Sequence, residues 1–276
     1  CSPTDSHRDL TVRALRAGKN VLLEKPIALT VSDALEIRDA AQASGAVLMI
    51  AQVIRFFKGY QLLRDEVRDG HLGTVLSVRG SRLSNRPDWA QWWHNEDRSG
   101  GVVVDFSIHD YDQLNLFLGE PVAVTARSVS RLGPIETTVE YRDGGIGQVL
   151  SFADTAKGVP FTSSIQALGT AGAADYDFAA AAPTAGAAGG VNFYSRSGVS
   201  GPRTVEIEND DPYTAQVEYF LECVTSGSRP GLTTTESAIR ALEVSLAARQ
   251  SIATGKRVAI ESCVADIAAS GTVFAK

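Results

Sequence analysis

Two short apolar runs, Val21-Leu22-Leu23 and Val47 to Ala51, are separated by one helix-length segment, and that arrangement leaves few folds open. Thr30, with Asp33 three residues later, reads as a capping box opening the intervening helix, and Gly45 reads as its stop. Strand, helix and strand in this rhythm require a right-handed parallel crossover with helices covering the sheet. An earlier helix is expected from a cap at Asp5 or Ser6. It carries Leu10, Ala14 and Ala17 on one stripe, with Val12 and Leu15 alongside, and ends at Gly18. Residues 1–54 thus read as the carboxyl-terminal half of a doubly wound α/β domain.

After Ile54 the rhythm changes. A helix with Tyr60, Leu63 and Val67 runs to Gly70, and an extended strand follows from Thr74 to Leu83. Thr137 to Tyr141, Gln148 to Phe152 and Ser163 to Leu168 alternate or are β-branched, and Gly and Asp separate them. Residues 55–276 are therefore expected to form an α+β domain with an open, largely antiparallel sheet. Helices over Tyr213 to Val224 and Thr235 to Thr254 should cover one face, and Arg257 to Ile260 should add a last strand. The Ala- and Gly-rich stretch Ala171 to Gly190 reads as a long turn or hairpin.

Composition narrows the partners. The 276 residues, 44% hydrophobic and 21% charged, suffice for two cores. A net charge of -6 and a pI near 5.3 argue against nucleic acid. No apolar run approaches the roughly 20 residues of a membrane span. The three cysteines, Cys1, Cys223 and Cys263, lack C-x-x-C spacing, so neither a disulfide framework nor a metal cage is expected, and a reducing cytoplasm fits. Cys1 is not an initiator Met and no signal peptide follows it; a lipid-anchored mature start would call for a polar tether rather than the helix pattern seen.

Two segments carry chemistry. Glu24-Lys25-Pro26 directly follows an apolar strand, where the carboxyl ends of parallel strands form a ligand crevice. Pro26 keeps the chain extended and allows a cis peptide, aiming Lys25 into that crevice; the bland reading is a solvated lysine at a strand end. The second segment runs from Ser99-Gly100-Gly101 through Val104 to Asp105, His109 and Asp110. On a buried helix, Asp105 and His109 would share a face at i and i+4. The carboxylate would then orient the imidazole and favour its charged form, unless the two merely satisfy each other. Asp110 and Asp112 are expected to face solvent or cap neighbours.

These segments, with others in the same order, resemble the Gfo/Idh/MocA oxidoreductases, the group of glucose-fructose oxidoreductase, inositol dehydrogenase and rhizopine catabolism proteins. The matching text is Ser2-Pro3-Thr4 with His7, Ala17-Gly18-Lys19 leading to Glu24-Lys25-Pro26, and Gly70-His71-Leu72-Gly73. It continues with Ser99-Gly100-Gly101, Asp105 to His109, Gly169-Thr170-Ala171-Gly172 and Thr254-Gly255-Lys256.

The resemblance implies a partial Rossmann domain over 1–54 and a substrate and oligomerisation domain over 55–276. It implies NAD or NADP as cofactor and a sugar, polyol or cyclitol as substrate. Lys25, Asp105 and His109 correspond to the catalytic set: His109 accepts the hydroxyl proton, Lys25 stabilises the alkoxide and Asp105 orients the imidazole. Ser2, Pro3, Thr4 and His7 would line the cofactor wall, with Glu24, Lys25 and Pro26 at its nicotinamide end. Relatives form dimers or tetramers, so a homodimer or homotetramer is expected.

One departure matters. The family opens with a G-x-G-x-x-G turn holding the pyrophosphate, and this sequence contains none. The resemblance therefore implies an N-terminal truncation of on the order of 80 residues, two or three βαβ units, and poor dinucleotide binding by the polypeptide as written. Softer candidates are Trp92 and Trp93, following Trp89, which wall the substrate pocket or pack in the core. Arg55 faces the cleft or forms a hinge salt bridge, and Tyr213 contacts substrate or simply opens a helix. Competing functions are a non-catalytic sugar or dinucleotide sensor and an NAD-dependent glycosidase.

Overall fold

The computed structural model describes residues 2–86, 91–180, 190–208 and 211–264. Cys1, Trp89 and residues 181–189 of the Ala/Gly-rich stretch fall outside them.

The amino-terminal part is the expected crossover. A 3-10 turn, Thr4–Ser6, leads into α1 (His7–Arg16), then β1 (Val21–Glu24), α2 (Val31–Ser44) and β2 (Leu48–Ala51), and β1 and β2 pair in parallel. The Thr30 side chain accepts from the Asp33 amide at 3.1 Å, and Gly45 closes α2 in the left-handed conformation. The cap of α1 differs. Ser6 turns its hydroxyl back to the Pro3 carbonyl at 2.7 Å, so no side chain caps the helix.

A short 3-10 turn, Val53–Phe56, and α3 (Lys58–Arg68) lead into β3 (Val75–Leu83). Next come α4 (Glu96–Ser99), a π-helical turn (Val102–Phe106) and α5 (Ile108–Leu118). The remaining strands are β4 (Pro121–Ser128), β5 (Ile135–Tyr141), β6 (Ile146–Phe152), β7 (Thr162–Gly169), β8 (Gly172–Ala179), β9 (Val191–Gly198), β10 (Arg203–Glu206) and β11 (Val258–Ala259). They join β3 in a nine-stranded open sheet of order β10-β9-β8-β7-β3-β6-β5-β4-β11. All its pairings are antiparallel except β3 with β6. The fold is thus α/β followed by α+β.

Ala171 to Gly190, expected as a long turn or hairpin, begins with β8, which pairs antiparallel with β9 as the first arm of a hairpin, Ala174 and Tyr176 alternating onto its buried face. Gly59 of α3 lies flat against the Tyr176 ring, where an added Cβ would come within 2.0 Å of it. α6 (Pro212–Ser226) departs from its expected place on the sheet. It docks on the Val53–Phe56 turn, with Tyr219 tilted against Phe56 at 5.7 Å between ring centroids.

The last long helix, α7 (Thr235–Thr254), ties the two parts together. Its alanines allow close approach on both sides: Ala238, Ile239, Ala241 and Leu242 join Leu15, Leu23, Ile37 and Ile50 in one core. Val244, Ala247 and Ala248 join the sheet core with Val78, Tyr111 and Val124. Val104 and Ile108 also enter the first core. This packing holds the end of β1 against the start of α5. Among the described residues no helix is long and apolar enough to cross a membrane.

Candidate active site

Lys25 follows the last residue of β1, and its peptide to Pro26 is cis. The turn is held from α1: one His7 ring nitrogen lies 2.9 Å from the Pro26 carbonyl oxygen and the other 3.2 Å from that of Ser2. Both His7 nitrogens thus face backbone carbonyls.

The opposite wall is built around the two glycines. Gly100 ends α4 at φ +82°, and a Cβ there would lie 2.6 Å from the Val104 side chain, so glycine is required. The chain then makes its π turn. Ser107 anchors the turn, its hydroxyl lying within hydrogen-bond distance of the Val102 carbonyl at 3.1 Å and of the Ser151 hydroxyl of β6 at 2.8 Å.

Across this gap Lys25 Nζ donates to the Asp105 carbonyl at 2.9 Å and to Asp105 Oδ1 at 3.0 Å. The Trp93 indole N–H donates to Asp105 Oδ2 at 2.8 Å. Both carboxylate oxygens are therefore engaged, and the Lys25 side chain keeps 21% exposure. The expected Asp105–His109 pair does not form. The π turn underwinds the backbone, so residues four apart no longer stack on one face. Asp105 fixes the lysine instead.

His109 is partly exposed and departs from the expected charged form. Burial, then the charges of Lys25 and Arg82, push its imidazole well below the ordinary value of 6.5. It is neutral at neutral pH, the form a proton acceptor needs.

A cleft of about 680 Å³ opens beside these groups. Ser2, Pro3, Thr4, His7, Glu24 and Lys25 line one side; Ser84, Asn85, Trp92, Trp93, Asp105, Phe106 and Ala153 line the other. Its volume lies within the roughly 300–1,000 Å³ usual for small-molecule sites. Pro26 instead borders a much smaller cavity, where His109 meets Lys25, Gln52 and Asp112. Trp92 and Trp93 thus both reach the cleft, and Trp93 also packs in the core.

Other candidates are used elsewhere. Arg55, 5% exposed, makes a two-pronged bond to Asp112 at 2.6 and 2.8 Å and donates to the Leu232 carbonyl at 2.7 Å. It is the salt bridge rather than a cleft residue. Asp110 and Asp112 do not face solvent: both are buried, Asp110 bound by Arg82 and Asp112 by Arg55 and Gln52. α5 lies between the sheet and α7, so both its polar sides need buried partners. Tyr213 is 63% exposed on the outer side of α6 and does not border the cleft.

Sequence reasoning passed over Arg82, although alternation along β3 places it inward with Val78 and Gly80. A lone charge on an apolar face was the signal.

Residues 1–52 match the oxidoreductase family, NAD-binding Rossmann fold, and residues 60–175 match the GFO/IDH/MocA C-terminal domain. The chain belongs to the Gfo/Idh/MocA oxidoreductases. Within the family, it is 34% identical over 145 residues to the 1,5-anhydro-D-fructose reductase of Ensifer adhaerens, covering 52% of this chain and 43% of that protein. It is 24% identical over 275 residues to the scyllo-inositol 2-dehydrogenase (NAD(+)) of Bacillus subtilis, covering 94% of this chain and 76% of that protein. Among solved structures, the aldose-aldose oxidoreductase of Caulobacter crescentus, complexed with glycerol, superposes with a TM-score of 0.78 at 25% identity, covering 94% of this chain and 78% of that one. The matches to several curated family members span less than half of their lengths.

Proposed function

We propose that the protein is an NAD- or NADP-dependent dehydrogenase that moves hydride between the nicotinamide and a hydroxyl-bearing carbon of a sugar, polyol or cyclitol. One observation carries the reading: a cleft-lining ammonium, Lys25, is held on Asp105 and also borders the small cavity that His109 lines. Residues 1–54 act as the cofactor-side half and residues 55–276 as the substrate side.

The residues present fit the nicotinamide end of such a cofactor. Ser2, Pro3, Thr4 and His7, with Glu24 and Lys25, all line the cleft and would hold it there. When bound, the nicotinamide supplies a hydride acceptor. His109 takes the hydroxyl proton, Lys25 stabilises the oxygen as its negative charge develops, and Asp105 keeps the ammonium in place. Trp92 and Phe106 present apolar surface to the sugar carbons.

The test is formation of reduced nicotinamide from NAD and from NADP across a panel of polyols, cyclitols and aldoses. Turnover should vanish in Lys25→Met and in His109→Ala. Cofactor binding that persists in the wild type with no turnover on any substrate would instead favour a sensor.

The reading extends to assembly and place. Helices cover one face of the nine-stranded sheet, while the other presents Arg79, Gln148, Gln166 and Asp175 across a shallow polar depression. Two copies joined through this face would make a homodimer, and two dimers a homotetramer, in the cytoplasm. Sedimentation of the purified protein tests this, and a monomer at micromolar concentration would contradict it.

A further inference from the structure

The outward face of the nine-stranded sheet carries a charge pattern that the fold itself leaves unused. Arg79 of β3 is exposed and makes no hydrogen bond or ion pair among the described residues. Strand pairing sets it in a row: Gln148 of β6 and Gln166 of β7 flank it, and Asp175 of β8 lies beyond Gln166. The Gln166 amide donates to the Asp175 carboxylate at 2.6 Å and fixes it on the surface. A neighbouring row reads Leu150, Ser81, Ser164, Asp177 and Phe193, in the strand order β6, β3, β7, β8, β9. On the other side lies a row of Ile146, Ser77, Leu168 and Ala173.

Two copies stacked on this face can be related by a two-fold axis running across the strands or along them. An axis across the strands sets each strand against its own copy. β3 has no acid, so Arg79 would be covered without a partner, which is strongly unfavourable. An axis along the strands sets each row against itself and exchanges strands that lie at equal distances on either side. In the row of Arg79, which runs from Thr125 of β4 to Thr204 of β10, the one acid is Asp175. The axis that brings the two together passes over β7, midway between them.

We propose that two copies of this chain pair face to face about an axis along β7, with Arg79 of each copy against the partner's Asp175. The proposal rests on the homodimer reading and specifies its register. The neighbouring rows agree with it. Ser81 meets the partner's Asp177, Leu150 meets the partner's Phe193, and Leu168 meets the partner's Leu168 on the axis itself. Packed sheets stand roughly 10 Å apart, a gap suited to a long arginine facing a short aspartate. Other axes along the strands fit worse. Over β3, the axis would set Arg79 on the partner's Arg79 and Asp177 on the partner's Glu136; between β3 and β7, it would cover Asp177 with the partner's Leu150. In the chosen register Glu136 faces the partner's Glu206, but three strands from the axis, where sheet twist opens the faces to solvent.

The test is sedimentation of the full chain and of charge-reversed variants, with circular dichroism as the check on folding. Arg79→Asp and Asp175→Arg should each weaken the dimer by roughly tenfold or more, because both pairs across the axis become like-charged. Mixed in equal amounts, the two variants should dimerise again, since every reversed position then meets an opposite charge on the other chain. Ser81→Arg, facing the partner's Asp177, should tighten the dimer, and it decides the matter if a reversal fails to fold. Dimers that the reversals leave intact, folded variants that stay apart on mixing, or a Ser81→Arg dimer no tighter than the wild type overturn the register while the homodimer stands. A wild-type monomer at micromolar concentration overturns the homodimer reading and the register with it. Turnover enters none of these outcomes, so the dehydrogenase reading stands or falls separately.

Discussion

The indole nitrogen of Trp93 donates to the carboxylate oxygen of Asp105 that Lys25 does not use, at 2.8 Å. The carboxylate is thereby held from both sides, and its position sets that of the ammonium. Trp93→Phe keeps the ring and removes the donor. It leaves a mostly buried carboxylate oxygen unsatisfied, which should cost about 1–3 kcal/mol of stability. It should also reduce kcat by roughly tenfold or more, with a smaller change in KM, because a displaced lysine stabilises the developing alkoxide poorly. Thermal unfolding and steady-state kinetics together check this; an unchanged kcat would leave Trp93 as core packing alone.

Arg55 and Asp112 form a buried ion pair, not a substrate contact. Arg55→Met strands a buried carboxylate and should destabilise the protein by about 3–5 kcal/mol, whereas Arg55→Met combined with Asp112→Leu should recover most of that loss. Denaturant unfolding measures both. A single variant that unfolds like the wild type while binding substrate weakly would return Arg55 to the ligand side.

The imidazole of His109 makes stability depend on pH. Its folded value is depressed below 6.5 by burial, Lys25 and Arg82, so between 6.5 and that lower value the unfolded chain binds more protons. Stability should therefore fall as pH drops below about 6.5 and stop falling, for this group, once the folded value is passed. His109→Gln should flatten the dependence in that window. A second loss should appear only below 4.5: burial opposes the Glu66 carboxylate, yet Arg203, His71 and Arg196 outweigh it and depress its value. Unfolding free energy measured across pH for both proteins checks the order; equal slopes near pH 6 would contradict it.

Much of this architecture was legible in local signals. Thr30 and Gly45 delimit α2, and the apolar runs beside it become β1 and β2 because cap, period and length agree. Lys25 was legible for the same reason, placed by the strand before it and the proline after it. Partnerships were not. Asp105 and His109 stand four apart in the sequence, but the π turn is a backbone irregularity with no side-chain period to announce it. Asp110 and Asp112 looked solvated because their neutralising arginines lie 28 and 57 residues earlier in the chain. Tyr213 was placed by its position in the chain alone, and the docking of α6 on the Val53–Phe56 turn leaves it outside the cleft.

The central claim is that a hydroxyl bound beside Lys25 loses its proton to His109 while its carbon loses hydride to a nicotinamide. The most direct measurement uses a polyol deuterated at the carbinol carbon and follows the label. Deuterium should appear on the nicotinamide C4, with turnover slowed by the heavy isotope and abolished in Lys25→Met. Product formed with the deuterium retained on the sugar, or turnover that survives in Lys25→Met, would contradict it.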